Sequence, residues 1–113
     1  MNEVNTAALL FGIVGIVLIA LGVPLFKKRV PPNSWYGCRT TKSLSDKGIW
    51  YAVNRVTGKD MIIAGIVVII SSLVVFMFGA GMNPTYAALI LLAVLISATI
   101  GMVVNSIRTL KRL

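Results

Sequence analysis

The chain has 113 residues, 58% of them hydrophobic and 12% charged, with a mean hydropathy of +0.92. A soluble domain this small would leave much of that apolar surface in water, so its natural solvent is lipid. The net charge of +8, from 11 Lys and Arg against 3 Asp and Glu, lies between and after the apolar runs, which points to orientation and anionic headgroups rather than to nucleic acid.

The N-terminal stretch Met1 to Thr6 carries no Lys or Arg, only Glu3, and the apolar run behind it is too long for a signal-peptide core. That run, Ala7 to Phe26, holds about twenty uncharged residues, enough to span a ~30 Å hydrocarbon core. Gly12, Gly15 and Gly22 lie near one face, where small residues let helix backbones approach in lipid. Pro24 is expected to kink or loosen the end of this helix.

The segment Lys27 to Asp60 is far longer than joining two helices requires, and such loops are functional or disordered. Two Trp, two Tyr and regular apolar spacing argue against disorder. Pro31-Pro32-Asn33 reads as a rigid turn. Trp35 and Tyr36 are expected at headgroup depth, and Gly37 permits a tight bend. Arg39 offers a planar five-donor fork to phosphate, carboxylate or carbonyl groups.

Ser45-Asp46 looks like a helix start, with Ser43 an alternative cap. Ile49, Trp50, Val53 and Val56 then recur at three- and four-residue spacing, with Lys47, Asn54 and Arg55 toward the polar side. The pattern predicts a short amphipathic helix from about Asp46 to Thr57, lying in the interface plane and ended by Gly58.

A second uncharged run covers Met61 to Phe78. Residues Gly79 to Pro84 make a turn, and a third run covers Tyr86 to Val104, closed by Asn105 and Ser106. Backbone polar groups in hydrocarbon must be bonded internally, and three segments cannot close a barrel, so all three runs are read as helices. Ser71, Ser72, Ser97 and Thr99 are available for bonds across helices. No Asp, Glu, Lys or Arg lies inside a run, which argues against ion-coupled transport through this chain alone. The fold expected is therefore an all-α membrane protein. It is one membrane domain over 1–113, with three transmembrane helices and a short interfacial helix between the first two.

All 11 basic residues fall in the loop or the C-terminal tail, and none in the N-terminal tail or the second turn. The positive-inside rule then places the loop and C-terminus in the cytoplasm and the N-terminus outside, in a plasma membrane.

The loop text Pro32-Asn33, Trp35-Tyr36-Gly37-Cys38-Arg39-Thr40, Ser43, Trp50, Asn54, Gly58 resembles the SdpI family of small bacterial membrane proteins. The family pattern is a Pro-Asn, an aromatic-Gly-x-Arg-Thr, a Ser or Thr three residues on, a Trp, an Asn or His four residues later, and a Gly. Two departures stand out. The family's named member is longer, with further spans before this unit, and Cys38 occupies a position that is often aromatic or aliphatic. The resemblance implies immunity to a secreted, membrane-active peptide toxin, and signalling by holding a cytosolic repressor at the membrane.

Two function classes follow. In the first, an immunity or signalling protein uses Trp35, Arg39, Trp50, Asn54 and Arg55 as contacts. In the second, a small transporter or lipid-handling subunit forms a homo-oligomer on the Gly12, Gly15 and Gly22 face, and Arg39 with Arg55 holds a lipid phosphate. An enzyme is not expected. The acids are Glu3, Asp46 and Asp60, Glu3 lies on the opposite side, and no nucleophile, base and orienter can be assembled. Cys38 is the only cysteine and histidine is absent, so no internal disulfide, Cys–His metal site or Cys–His catalysis is available, and neither metal nor cofactor is expected. Arg39 beside Cys38 would lower the thiol pKa if its charge acted there; otherwise the thiol is inert. No nucleic-acid motif appears, so direct DNA binding is not expected.

Overall fold

The computed structural model describes residues 2–113. Four helices follow in order: α1 Glu3–Phe26, α2 Thr41–Ser45, α3 Lys47–Phe78 and α4 Pro84–Arg112. Three of them, α1, α3 and α4, are long and apolar enough to cross a membrane. The molecule measures 52 × 22 × 19 Å. Its long axis exceeds the ~40–45 Å of a bilayer with its headgroups.

Local chemistry sets most of the helix ends. The Asn2 side chain accepts from the Asn5 N–H at 2.7 Å and starts α1. The Asp46 carboxylate accepts from the Gly48 and Ile49 N–H groups and starts α3. Asn83 caps α4, with Pro84 in its first turn, where a missing N–H costs nothing. Helix α1 continues two residues past Pro24 and then turns through Lys28, whose φ is +58°.

Helix α1 packs chiefly on α3, and α4 lies mainly against α3 as well. At one end Val4, Ala8, Val75, Ala87 and Leu91 form a core, with Phe11 and Met82 against it. Outward faces carry large apolar side chains such as Leu10, Ile16, Ile70 and Ile100, which suits lipid as the surrounding medium.

The predicted amphipathic helix does not exist as a separate element. Residues 47–57 form the first turns of α3, which passes through Gly58 without interruption. The short helix between the first two spans is Thr41–Ser45 instead. Gly58 fails to stop α3 because packing needs it there. A Cβ on Gly58 would lie 2.6 Å from the Gly22 carbonyl oxygen and 2.5 Å from the Phe26 nitrogen. The close approach of α1 offsets the ~1 kcal/mol that a mid-helix glycine costs. The apolar face of residues 49–56 is likewise turned inward, with Trp50 and Val53 fully buried.

Asn105 and Ser106 follow the third apolar run but do not end its helix, since α4 runs on to Arg112. Both reach across to α3: the Ser106 and Thr57 hydroxyls share a buried 2.7 Å hydrogen bond, and the Asn105 amide donates to Asp60 Oδ2 at 2.7 Å. By contrast, Ser71, Ser72 and Thr99 bond back to the carbonyls of Val67, Val68 and Leu95 in their own helices. Hydroxyls in a span are satisfied at least cost by the carbonyl one turn back.

The glycine face is confirmed for two of its three members. Gly15 meets Gly65, and Gly22 meets Gly58, at distances a Cβ could not tolerate; Gly12 would meet only the Ser72 Cβ at 3.9 Å. These contacts join α1 to α3 within the chain.

Candidate functional site

The segment between α1 and α2 has no regular structure, yet it is fixed at three points. The first is a turn held by Asn33. Its Nδ2 donates to the Pro31 carbonyl at 2.7 Å, and its Oδ1 accepts from the N–H groups of Trp35 and Tyr36 at 2.7 and 3.0 Å. Prolines 31 and 32 restrict the approach to this turn.

The second point is α3 itself. Trp50 and Asn54 sit four residues apart, hence on one face. Trp50 Nε1 donates to the Val30 carbonyl at 2.9 Å, gripping the start of the segment. One turn on, Asn54 Oδ1 accepts from the Cys38 N–H at 2.6 Å, and its Nδ2 donates to the Trp50 carbonyl at 3.0 Å. Asn54 therefore replaces a sheet partner for an otherwise unpaired stretch of backbone.

Gly37 makes that grip possible. Its φ of +108° suits glycine alone, and a Cβ there would lie 2.6 Å from Asn54 Oδ1.

The third point is the capping box that opens α2. Thr40 Oγ1 accepts from the Ser43 N–H at 3.1 Å, while Ser43 Oγ accepts from the Thr40 N–H at 2.7 Å. The same Ser43 hydroxyl donates toward the Cys38 carbonyl at 2.8 Å. Ser43 is thus the third residue of the box rather than a cap. Trp50, Asn54 and Ser43 are all essentially inaccessible, and among the described residues no buried side-chain polar atom lacks a partner. A fully satisfied polar network of this kind fixes one conformation.

What the scaffold leaves outside is equally specific. Trp35 is 84% exposed, and Arg39 is exposed beside the pinned Cys38. Arg55 lies over the Phe26 ring, 5.1 Å from its centroid. Cys38 is half-buried, and burial pushes its thiol pKa up. A lowering by the Arg39 charge therefore does not prevail, as the reading of an inert thiol anticipates. Gly58 lies in the α1–α3 seam, away from any surface.

A family model described as the SdpI/YfhL protein family matches residues 29–105, which covers every element of this site and well over half the chain. The chain belongs to the SdpI/YfhL family. No curated protein and no solved structure matches it. Together with its three apolar helices, this makes it a membrane protein of the SdpI/YfhL family.

The loop motif of this SdpI-family chain lies within the matched residues. The structure brings Gly37, Ser43, Trp50 and Asn54 together around the backbone of Cys38, and it places Pro32, Asn33 and Thr40 in the flanking turn and cap. Trp35, Arg39 and Arg55 lie outside that cluster. Sequence reasoning did not find Val30, Thr57, Asp60, Gly65 or Ser106. The first contributes only a carbonyl, which no side-chain pattern signals. A Gly58–Gly65 spacing equal to Gly15–Gly22 was the one available cue for Gly65.

Proposed function

We propose that this SdpI-family protein confers immunity to a secreted, membrane-active peptide toxin, signals by binding a cytosolic repressor, or does both, through its basic loop. In this reading the N-terminus lies outside and the loop and C-terminus inside, which the placement of the 11 basic residues supports. One observation carries the reading. The loop is pinned onto α3 through Trp50 and Asn54, while Trp35 and Arg39 remain on the outside. A rigid loop that shows one Trp and one Arg has met most of the ordering cost of binding in advance, and those two residue types dominate protein-binding energetics. Arg39 would engage an acidic or carbonyl-rich surface, with Trp35 the apolar anchor beside it.

The test is survival of a toxin-sensitive host that expresses wild type, Trp35→Ala or Arg39→Ala at equal membrane abundance. Protection that both variants lose supports a loop-borne mechanism. Protection retained by both moves the activity into the spans and refutes the role given to the loop.

A further inference from the structure

Helices α3 and α4 meet at the basic end through Thr57–Ser106 and Asp60–Asn105 and at the other end through Val75, Ala87 and Leu91, and between these contacts they leave a groove of about 730 Å³. On α4 the groove is lined by Ala93, Ser97 and Gly101, one small residue per turn, with Ala64 and Val67 of α3 opposite. No protein atom fills it at Gly101, where an added Cβ would meet nothing within 4 Å. An acyl chain is the natural filler of such a space in a bilayer. Its volume lies within the ~300–1,000 Å³ of ordinary small-molecule sites.

One feature makes the groove selective. Asp60 and its partner Asn105 line its mouth, and Asp60 is the groove's sole ionisable residue. The Asn105 amide occupies Oδ2, but a neutral donor leaves the negative charge in place. A carboxylate at the edge of hydrocarbon calls for a cationic partner. Arg108, exposed and about one turn beyond Asn105 on α4, lies outside the groove lining on its headgroup side. A lone acid beside a base at the headgroup end of an apolar groove is complementary to a zwitterion: ammonium toward Asp60, phosphate toward Arg108, acyl chain along the small residues.

We infer that the α3–α4 groove is a binding site for an aminophospholipid from the leaflet at the basic end of the molecule. Its complementarity resides in Asp60, Asn105 and the Ala93, Ser97, Gly101 face. The basic residues of the loop and C-terminal tail, a collar at this end, would attract anionic lipid generally; this groove is where a primary ammonium is favoured instead. The site uses no residue of the segment between α1 and α3 and is independent of the function proposed for that segment.

The experiment uses the purified full chain, phosphatidylethanolamine and phosphatidylglycerol of identical acyl chains, and native mass spectrometry of the retained lipid. The readout is the ratio of the two lipids bound, which separates this groove from the collar. That ratio should fall about tenfold in Asp60→Asn, the equivalent of one charge-assisted hydrogen bond. Gly101→Leu should reduce retained phosphatidylethanolamine by filling the groove. On wild type alone, phosphatidylcholine, whose ammonium has no N–H, should be retained less than phosphatidylethanolamine, a comparison that requires no variant to fold. An unchanged ratio in Asp60→Asn, or equal retention of the ethanolamine and choline lipids, overturns the inference. A dimer lost in Gly101→Leu, without lipid selectivity, would overturn it too and give the groove to a second copy of the chain.

Discussion

Gly22 and Gly58 face each other across the α1–α3 seam so closely that a Cβ on either would stand 2.6–2.7 Å from the other's carbonyl oxygen. Gly15 and Gly65 repeat the relationship two turns away, at 2.5–2.7 Å. No real Cβ fits at such a distance, so an alanine at any of the four must push the helices apart. Gly22→Ala and Gly58→Ala should each destabilise the protein by about 1–3 kcal/mol, the usual cost of overpacking. Gly12→Ala should be close to neutral, since its Cβ has room. Thermal melts in one detergent would compare the three, and a neutral Gly58→Ala would contradict the seam.

Asn54 is the loop's main attachment, so its removal should free the loop while leaving the spans helical. Asn54→Ala leaves the partly buried Cys38 N–H without its acceptor, at about 1–3 kcal/mol. The expected result is faster proteolysis within residues 30–45 at unchanged far-ultraviolet circular dichroism. Gly37→Ala should have the same effect, because it adds both a clash with Asn54 and an unfavourable φ. Cleavage as slow as in wild type would show that the loop is held elsewhere.

Trp50→Phe isolates a single bond, that from the indole N–H to the Val30 carbonyl. The ring stays nearly as large, and a net loss of about 0.5–1.5 kcal/mol is expected. Trp50→Ala removes a fully buried side chain and should cost about 3–5 kcal/mol. Chemical denaturation of the two variants should keep that order.

Burial raises the Cys38 thiol pKa. The thiolate is the reactive form, so a raised pKa means a smaller thiolate fraction at every pH below it. Maleimide labelling of the folded protein should be slow near neutral pH, with a pH–rate midpoint above that of a free cysteine. Releasing the loop with Asn54→Ala should bring the midpoint down toward the free value. A wild-type midpoint at or below free cysteine would indicate that Arg39, not burial, governs the thiol.

Thr57 and Ser106 share the buried hydroxyl pair that joins α3 to α4. A double-mutant cycle with Thr57→Val and Ser106→Ala should return a coupling of about 0.6–1.7 kcal/mol, the range for polar contacts between membrane helices. Zero coupling would show that each hydroxyl is as well served by its own helix.

The three apolar helices were legible in the sequence because the runs contain no charge to contradict them. Asp46 was legible as a helix start because a cap acts locally, through the next few N–H groups. Gly58 was misread for the complementary reason. Local rules make glycine a stop, whereas its real partner, Gly22, lies on another helix that no local pattern reveals. Asn105 and Ser106 mark the end of the apolar run, but their partners on α3, Asp60 and Thr57, lie on another helix that no local pattern reveals. The loop motif was visible as a set of residues, but their division was not. Whether a Trp points inward like Trp50 or outward like Trp35 depends on where α3 passes, and that follows from the glycine seam.

The continuity of α3 has a mechanical consequence. The residues that grip the loop and those that meet Val4 near the opposite face of the bilayer belong to one rod. Gly58, the natural place for a swivel, is clamped by α1. The loop is therefore fastened through Trp50 and Asn54 to an unbroken helix, so a displacement of that helix carries the loop with it. Loop position and the position of α3 are then linked, and an environment-sensitive signal from exposed Trp35 reads that link from outside the bilayer.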